Sequence, residues 1–105
     1  MTATVNHFAS DTIAVRAGIE TDTQHGAITP PLYLSSNYSF AGFNEPREFD
    51  YTRSGNPTRQ ILGDAVAQLE QGSGGVVTSS GMSAVFLVLQ LLKAGESVLA
   101  PHDCY

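Results

Sequence analysis

The sequence is short of charged residues and of lysine in particular. Only 14% of its 105 residues are charged, and the formal net charge is -5. Its five basic residues are spread along the chain and form no basic cluster or basic helix face. Nucleic acid and anionic membrane surfaces attract proteins through such clusters, so neither is expected as a partner. A charge fraction this low in a small domain also predicts that much of the surface is buried against something else.

Cysteine and long apolar runs are scarce as well. Cys104 is the only cysteine, so no internal disulfide can form and nothing indicates an oxidising compartment. Residues 1–7 lack the basic start and apolar run of a signal peptide. The stretch Val85 to Leu92 is interrupted by Gln90 and is too short to span a bilayer. We therefore expect a cytoplasmic protein.

Residues 1–55 are irregular and contain one candidate helix. Ser10 is the expected N-cap of that helix, which runs from Asp11 to Arg16 and stops at Gly18. From residue 21 to residue 50 the sequence shows little periodicity. So long a structureless stretch is unusual inside a compact domain, and it favours an arm that packs on another surface.

Residues 56–105 are regular and begin with a well-marked helix. Asn56 is a good N-cap, and Pro57 occupies the first helical position, where proline is tolerated. Apolar residues then recur at the spacing of an amphipathic helix, at Leu62, Ala65, Val66 and Leu69. Glycines at 72, 74 and 75 predict its end.

A strand–helix–strand pattern follows this helix. Strands are predicted at 76–78 and 97–101, with a helix from Met82 to about Lys93 between them. That helix is apolar nearly all round, which predicts burial on every side. Parallel strands of this kind carry helices on both faces, so the unit needs more chain than is present. We interpret the 105 residues as the start of a large α/β domain, or as the ordered part of a longer chain.

Two polar turns are candidate anion sites. Ser80 and Ser83 flank Gly81 at a helix start, where free backbone N–H groups and the helix dipole suit a phosphate. An ordinary capped helix has the same pattern and is the commoner case. Tyr51 and Arg53 fall on one side of an extended segment and suit an oxyanion equally. A solvated loop explains that pair about as well.

The chain ends with His102, Asp103, Cys104 and Tyr105, which follow a predicted strand at the carboxyl edge where α/β folds place ligands. A histidine and a cysteine are too few for a zinc site, and their adjacency is not the geometry of a catalytic pair. A surface loop is the simpler interpretation, so no metal site is predicted.

Four segments together resemble the Cys/Met-metabolism family of pyridoxal-phosphate (PLP) enzymes, the trans-sulfuration enzymes. They are Phe43–Arg47, Tyr51–Thr58, Ser80–Ala84 and Ala100–Tyr105. The resemblance implies the N-terminal part of an aspartate-aminotransferase-like large domain of fold type I. Residues 1–55 are then an arm that packs on a neighbouring subunit, and residues 56–105 begin the PLP-binding α/β domain.

The resemblance also implies roles for five residues. Tyr51 and Arg53 bind the PLP phosphate in the neighbouring subunit's site, and Gly81 and Met82 offer it backbone N–H groups. Tyr105 stacks on the cofactor ring and assists proton transfer. The family's Schiff-base lysine has no match, since the only lysine, Lys93, lies elsewhere in the pattern.

Within the family, the matching segments are most similar to the bacterial branch that replaces the acyl group of an O-acylated homoserine with cysteine. The implied partners are small amino-acid substrates and further copies of the chain, as a homodimer or homotetramer with shared sites. Other branches of the family share these motifs. A truncated, non-catalytic paralogue that acts through residues 1–55 is the alternative from another class.

Overall fold

The computed structural model describes residues 8–105, and three α-helices lie in that range. Helix α1 spans Ser10–Arg16, α2 spans Pro57–Leu69 and α3 spans Gly81–Leu89. Antiparallel pairing over this range is limited to two isolated bridges, Asn37 with Tyr51 and Gly42 with Glu45. The irregular character predicted for residues 21–50 is confirmed, because neither a helix nor a strand forms there.

Helix α1 packs on α2 through a glycine. Its predicted N-cap is wrong by one position, since Ala9 is the cap and makes no side-chain cap hydrogen bond. The chain turns after the helix at Gly18, whose φ is +74°. A Cβ at Gly18 would lie 2.8 Å from Ile61 Cγ2 and 2.9 Å from Pro30 Cγ. Gly18 therefore serves both the turn and the close approach of this part of the arm to its own α2.

Helix α2 begins as predicted. The Asn56 side chain accepts hydrogen bonds from the backbone of Thr58 and Arg59, with Pro57 in the first turn. Gly63 and Ala67 form its buried face. A Cβ at Gly63 would lie 2.7 Å from the Gly75 carbonyl oxygen. The small residue lets the segment after α2 lie directly against the helix.

Helix α3 differs from its prediction in length and in burial. It ends at Leu89, with Gln90 as its C-cap, rather than near Lys93. None of its residues is buried, although nearly all are apolar. Because α3 is apolar nearly all round, the sequence predicts that other residues bury it on every side. The cover is not supplied by residues 8–105, in which α1 and α2 are the only helices that contact each other.

The two predicted strands do not form within the described residues. Residues 76–78 and 97–101 belong to no ladder within the described part of the chain. A strand exists only when a neighbour at about 4.8 Å accepts and donates its backbone hydrogen bonds. β-branched and apolar residues select the extended conformation, but they do not supply that neighbour. The strand predictions are therefore wrong for this chain as it stands.

The chain is open rather than globular. Its radius of gyration is 17.9 Å, against about 13 Å for a compact domain of this length. Ala67 is the only apolar side chain of the described residues that is buried. Of the large apolar residues, Phe43 and Leu99 are fully exposed, and those of α3 are about half exposed. The predicted need for an external partner surface is consistent with this exposure.

A loop at residues 22–27 is held by several hydrogen bonds to one carboxylate. The Asp22 carboxylate is almost buried and accepts the N–H groups of Gln24 at 3.0 Å, His25 at 3.3 Å and Ala27 at 3.1 Å. The bond from Ala27 is the main cause that lowers the pKa of Asp22, and the bonds from His25 and Gln24 add to it against desolvation.

We expect Asp22 to stabilise the protein in a pH-dependent way. A carboxyl with a lowered folded-state pKa contributes stability that is present above its unfolded pKa, about 3.9, and is lost as pH falls through the folded value. In the full-length protein, Asp22→Asn should therefore lower the melting temperature at pH 6, with a difference that shrinks toward pH 3. Asp11→Asn, a change at an exposed carboxyl, is the control. A difference that does not vary with pH would contradict this role.

Candidate anion-binding site

A tight turn brings Tyr51 and Arg53 together. The Arg53 guanidinium carbon lies over the Tyr51 ring, 5.1 Å from its centroid. The N–H groups of Ser54 and Gly55 both bond to the Tyr51 carbonyl at 3.0 Å, which closes the turn. The predicted proximity of the two side chains is confirmed, but it comes from this turn and not from an extended segment. The ring holds the guanidinium in place and leaves its N–H groups free for an anion.

The backbone on either side of Tyr51 is fixed by antiparallel hydrogen bonds. Tyr38 donates its N–H to the Asp50 carbonyl, and Thr52 donates its N–H to the Ser36 carbonyl, each at 2.9 Å. The Tyr38 and Phe49 rings lie 5.9 Å apart, centroid to centroid, beside this pairing. The turn therefore projects from a braced base and is not a free loop.

Asn56, which the sequence predicts only as a helix cap, also makes contacts away from its own helix. Its side chain is 8% exposed. Its amide nitrogen contacts the Tyr33 carbonyl at 3.0 Å, the Tyr38 hydroxyl at 3.2 Å and the Thr52 hydroxyl at 2.8 Å. The preference of asparagine for the N-cap position predicted that the side-chain oxygen would accept hydrogen bonds from the start of α2. Nothing local indicated where its nitrogen would point.

A second arginine lies beside the turn. Arg59, in the first turn of α2, donates from Nη2 to the Arg53 carbonyl at 3.2 Å. Arg53 and Arg59 both line an open cleft of about 320 Å³ whose far wall is Gly75–Val77. No carboxylate lines this cleft. Its local charge is therefore positive in a chain with a net charge of -5, and the cleft favours an anion.

The start of α3 is a second place that suits an anion. The Ser80 hydroxyl accepts the Ser83 N–H at 3.1 Å and lies 2.9 Å from the Ser83 hydroxyl. One hydroxyl proton is used between the two serines, and the other is free to donate. The N–H groups of Gly81 and Met82 find no acceptor within residues 8–105. A Cβ at Gly81 would meet nothing within 4 Å, so a phosphate can approach this backbone closely.

Tyr105 is not brought to either place. It is fully exposed, and His102 and Cys104 are exposed as well. Over the described range, no group of three or more His, Cys, Asp and Glu side chains could hold a metal ion. No helix in that range is long and apolar enough to cross a membrane.

The Tyr51–Arg53 turn and the open N-terminus of α3 each suit an anion such as a phosphate. The family model for Cys/Met metabolism PLP-dependent enzymes matches residues 11–105. The chain therefore belongs to that family, whose members depend on PLP. PLP carries a phosphate, which is the kind of group that these two places suit.

Named relatives support this assignment. The chain is 56% identical over 95 residues to cystathionine gamma-synthase of Escherichia coli K12, covering 90% of this chain and 25% of the relative. It is 40% identical over 94 residues to cystathionine beta-lyase of Lactococcus lactis, covering 90% of this chain and 25% of the relative. The chain thus spans about a quarter of the length of the curated relatives that it matches.

A solved relative supports the backbone. The crystal structure of cystathionine gamma synthase from Xanthomonas oryzae pv. oryzae, in complex with cystathionine, is 61% identical and matches with a TM-score of 0.76. The match covers 79% of this chain and 21% of the solved one. The backbone over most of this chain is therefore similar to the corresponding part of a solved enzyme of the family.

Proposed function

We propose that the whole protein is a PLP-dependent cystathionine γ-synthase, which replaces the acyl group of O-succinylhomoserine with L-cysteine to give cystathionine. The observation that carries the proposal is the Tyr51–Arg53 pair, held at 5.1 Å in a braced turn, within a chain of this family. The branch is supported by 56% identity to a γ-synthase against 40% to a β-lyase. Cystathionine γ-lyase, methionine γ-lyase and O-acylhomoserine sulfhydrylase are the alternatives within the family.

The chain's own residues serve to hold the cofactor by its phosphate. Arg53 and the Tyr51 hydroxyl would donate hydrogen bonds to the phosphate in the neighbouring subunit's site. The N–H groups of Gly81 and Met82 would bind the phosphate in the chain's own site, at the positive end of α3. The Tyr105 ring would pack on the cofactor ring, and its hydroxyl would hold or move a proton. When bound, PLP supplies an electron sink for the reaction.

We propose that this site is shared between subunits of a homodimer or homotetramer. Residues 1–55 are then the arm that carries Tyr51 and Arg53 to the neighbour, and residues 56–105 begin the PLP-binding domain. The exposure of the arm supports this arrangement, because Phe43, Leu34 and Leu32 all lie open to solvent. Not all of the arm projects, because α1 packs on its own α2, Pro30 lies close to Gly18, and Tyr33 is hydrogen-bonded to Thr58 and Asn56.

The complete domain is proposed to have the aspartate-aminotransferase-like α/β architecture of fold type I, in a cytoplasmic protein. The match to a solved γ-synthase supports the architecture. In that setting residues 76–78 and 97–101 gain parallel neighbours in a sheet. Helix α3 then packs on one face of that sheet and is no longer exposed.

An activity comparison on the full-length protein tests the function. We expect a visible absorption band that borohydride bleaches, and cystathionine formation from O-succinylhomoserine plus cysteine. Without cysteine, release of a keto acid and ammonia should be much slower. Keto acid release from cystathionine that exceeds its synthesis would instead assign the protein to the lyases. A sample that stays colourless with added PLP would support a non-catalytic paralogue.

A further inference from the structure

We propose that Asn56 is a positioning residue for the phosphate site, in addition to being the cap of α2. This inference rests on the proposed role of Arg53 in holding the PLP phosphate. The Asn56 amide joins the helix, the turn that carries Arg53 and the distant segment 33–38. Through these contacts it sets where the guanidinium lies before any ligand arrives.

The capping role alone does not account for an asparagine. The oxygen of Asn56 caps the helix by accepting from Thr58 N–H at 2.9 Å and Arg59 N–H at 3.4 Å. Aspartate and serine cap helices about as well, since a cap needs only an acceptor. The nitrogen is the feature that they lack. Its contacts make asparagine specific to this position.

Three acceptors surround the two N–H groups of that nitrogen. The contact with the Thr52 hydroxyl is the shortest at 2.8 Å, and the one with the Tyr38 hydroxyl is the longest at 3.2 Å. The third, with the Tyr33 carbonyl, ties in a segment 23 residues away in sequence. Because Asn56 is buried and these hydrogen bonds are part-buried, water replaces a lost donor only in part.

The Thr52 contact places the effect at the phosphate site. Thr52 stands between Tyr51 and Arg53, so a bond to its hydroxyl fixes the middle of the turn. Arg59 fixes the next residue by its bond to the Arg53 carbonyl. The first turn of α2 therefore holds the anion-binding turn at two successive residues. Without the Asn56 nitrogen the turn must be ordered when the phosphate binds, which should weaken binding about tenfold.

The test compares Asn56→Asp and Asn56→Ser in the full-length protein, with the cofactor removed and added back. Both variants retain the cap and lose the nitrogen, and the serine variant adds no charge near the arginines. The dissociation constants of PLP and of pyridoxal, which lacks the phosphate, are measured for each variant. We expect the affinity for PLP to fall about tenfold and the affinity for pyridoxal to change little, so that the preference for the phosphorylated form falls.

Three controls separate positioning from stability. Ala67→Gly weakens α2 at its buried face without touching the turn, and it should change PLP and pyridoxal binding alike or not at all. Thr52→Val removes the acceptor and should repeat the loss of phosphate preference. Thr52→Ser keeps the hydroxyl, so its preference for PLP over pyridoxal should equal that of the unmodified protein.

Each outcome decides the inference. An unchanged ratio of pyridoxal to PLP affinity in both Asn56 variants overturns it, as does an equal fall of that ratio in Ala67→Gly. Arg53→Ala, measured alongside, reports on the proposed function. If that variant weakens PLP and the Asn56 variants do not, only the positioning role fails. If Arg53→Ala has no effect, the assignment of the phosphate site itself fails.

Discussion

Replacing Arg53 with alanine in the full-length protein is expected to weaken PLP binding by about 10- to 100-fold. A hydrogen bond to a charged group contributes about 1.5–3 kcal/mol, and each 1.4 kcal/mol corresponds to a factor of ten in affinity. Arg53 offers its bonds from a guanidinium already held over the Tyr51 ring, so little ordering cost offsets them. Spectroscopic titration of the cofactor-free protein measures the change.

Arg16→Ala is the matched control for charge. It removes the same group from an exposed pair with Glu20, 3.7 Å away, and such pairs contribute little. PLP affinity should not change in this variant. The PLP affinity of Arg53→Lys should lie between those of Arg53→Ala and Arg16→Ala. Lysine keeps the positive charge but lacks the planar guanidinium that bonds a phosphate through two N–H groups. PLP affinity in Arg53→Ala equal to that of Arg16→Ala would exclude Arg53 from the phosphate site.

The second large effect concerns the 105-residue polypeptide expressed without the rest of the protein. We expect it to unfold without a cooperative transition, to bind hydrophobic dyes and to self-associate. Ala67 is its only buried apolar side chain over residues 8–105, while α3 exposes Val85, Phe86 and Val88 by half or more. Without apolar burial, the entropy lost on folding is not recovered, and exposed apolar patches associate.

Size-exclusion chromatography, dye binding and thermal denaturation check this expectation, with the full-length protein as reference. A second variant, Leu87→Glu, places a charge on α3, where Leu87 is 45% exposed. It should reduce self-association of the isolated polypeptide and destabilise the full-length protein, in which we propose that α3 is covered. A sharp, reversible melting transition of the isolated polypeptide would contradict the interpretation that its core lies outside these residues.

Where near neighbours decide the structure, the sequence predicts part of it. The start of α2 at Asn56 and Pro57 is as expected, because the cap and the proline are neighbours in the chain. Helix α3 begins at Gly81, one residue before the expected Met82, with Ser80 as its cap. The proximity of Tyr51 and Arg53 was also predicted, although it comes from a turn rather than from an extended segment. The recognised motifs lie in these same local segments, and the family assignment is confirmed.

Burial and long-range partners were decided only by the tertiary structure. The sequence showed that α3 needs cover, but cover is a property of other segments, and none among residues 8–105 supplies it. It marked 76–78 and 97–101 as extended, but a strand depends on a neighbour that propensity cannot specify. The nitrogen of Asn56 reaches Tyr33, 23 residues away, and only the folded backbone brings the two together. Sequence alone determined the cap of α2 and the family, because these depend on near neighbours and local motifs, whereas contacts between distant segments required the structure.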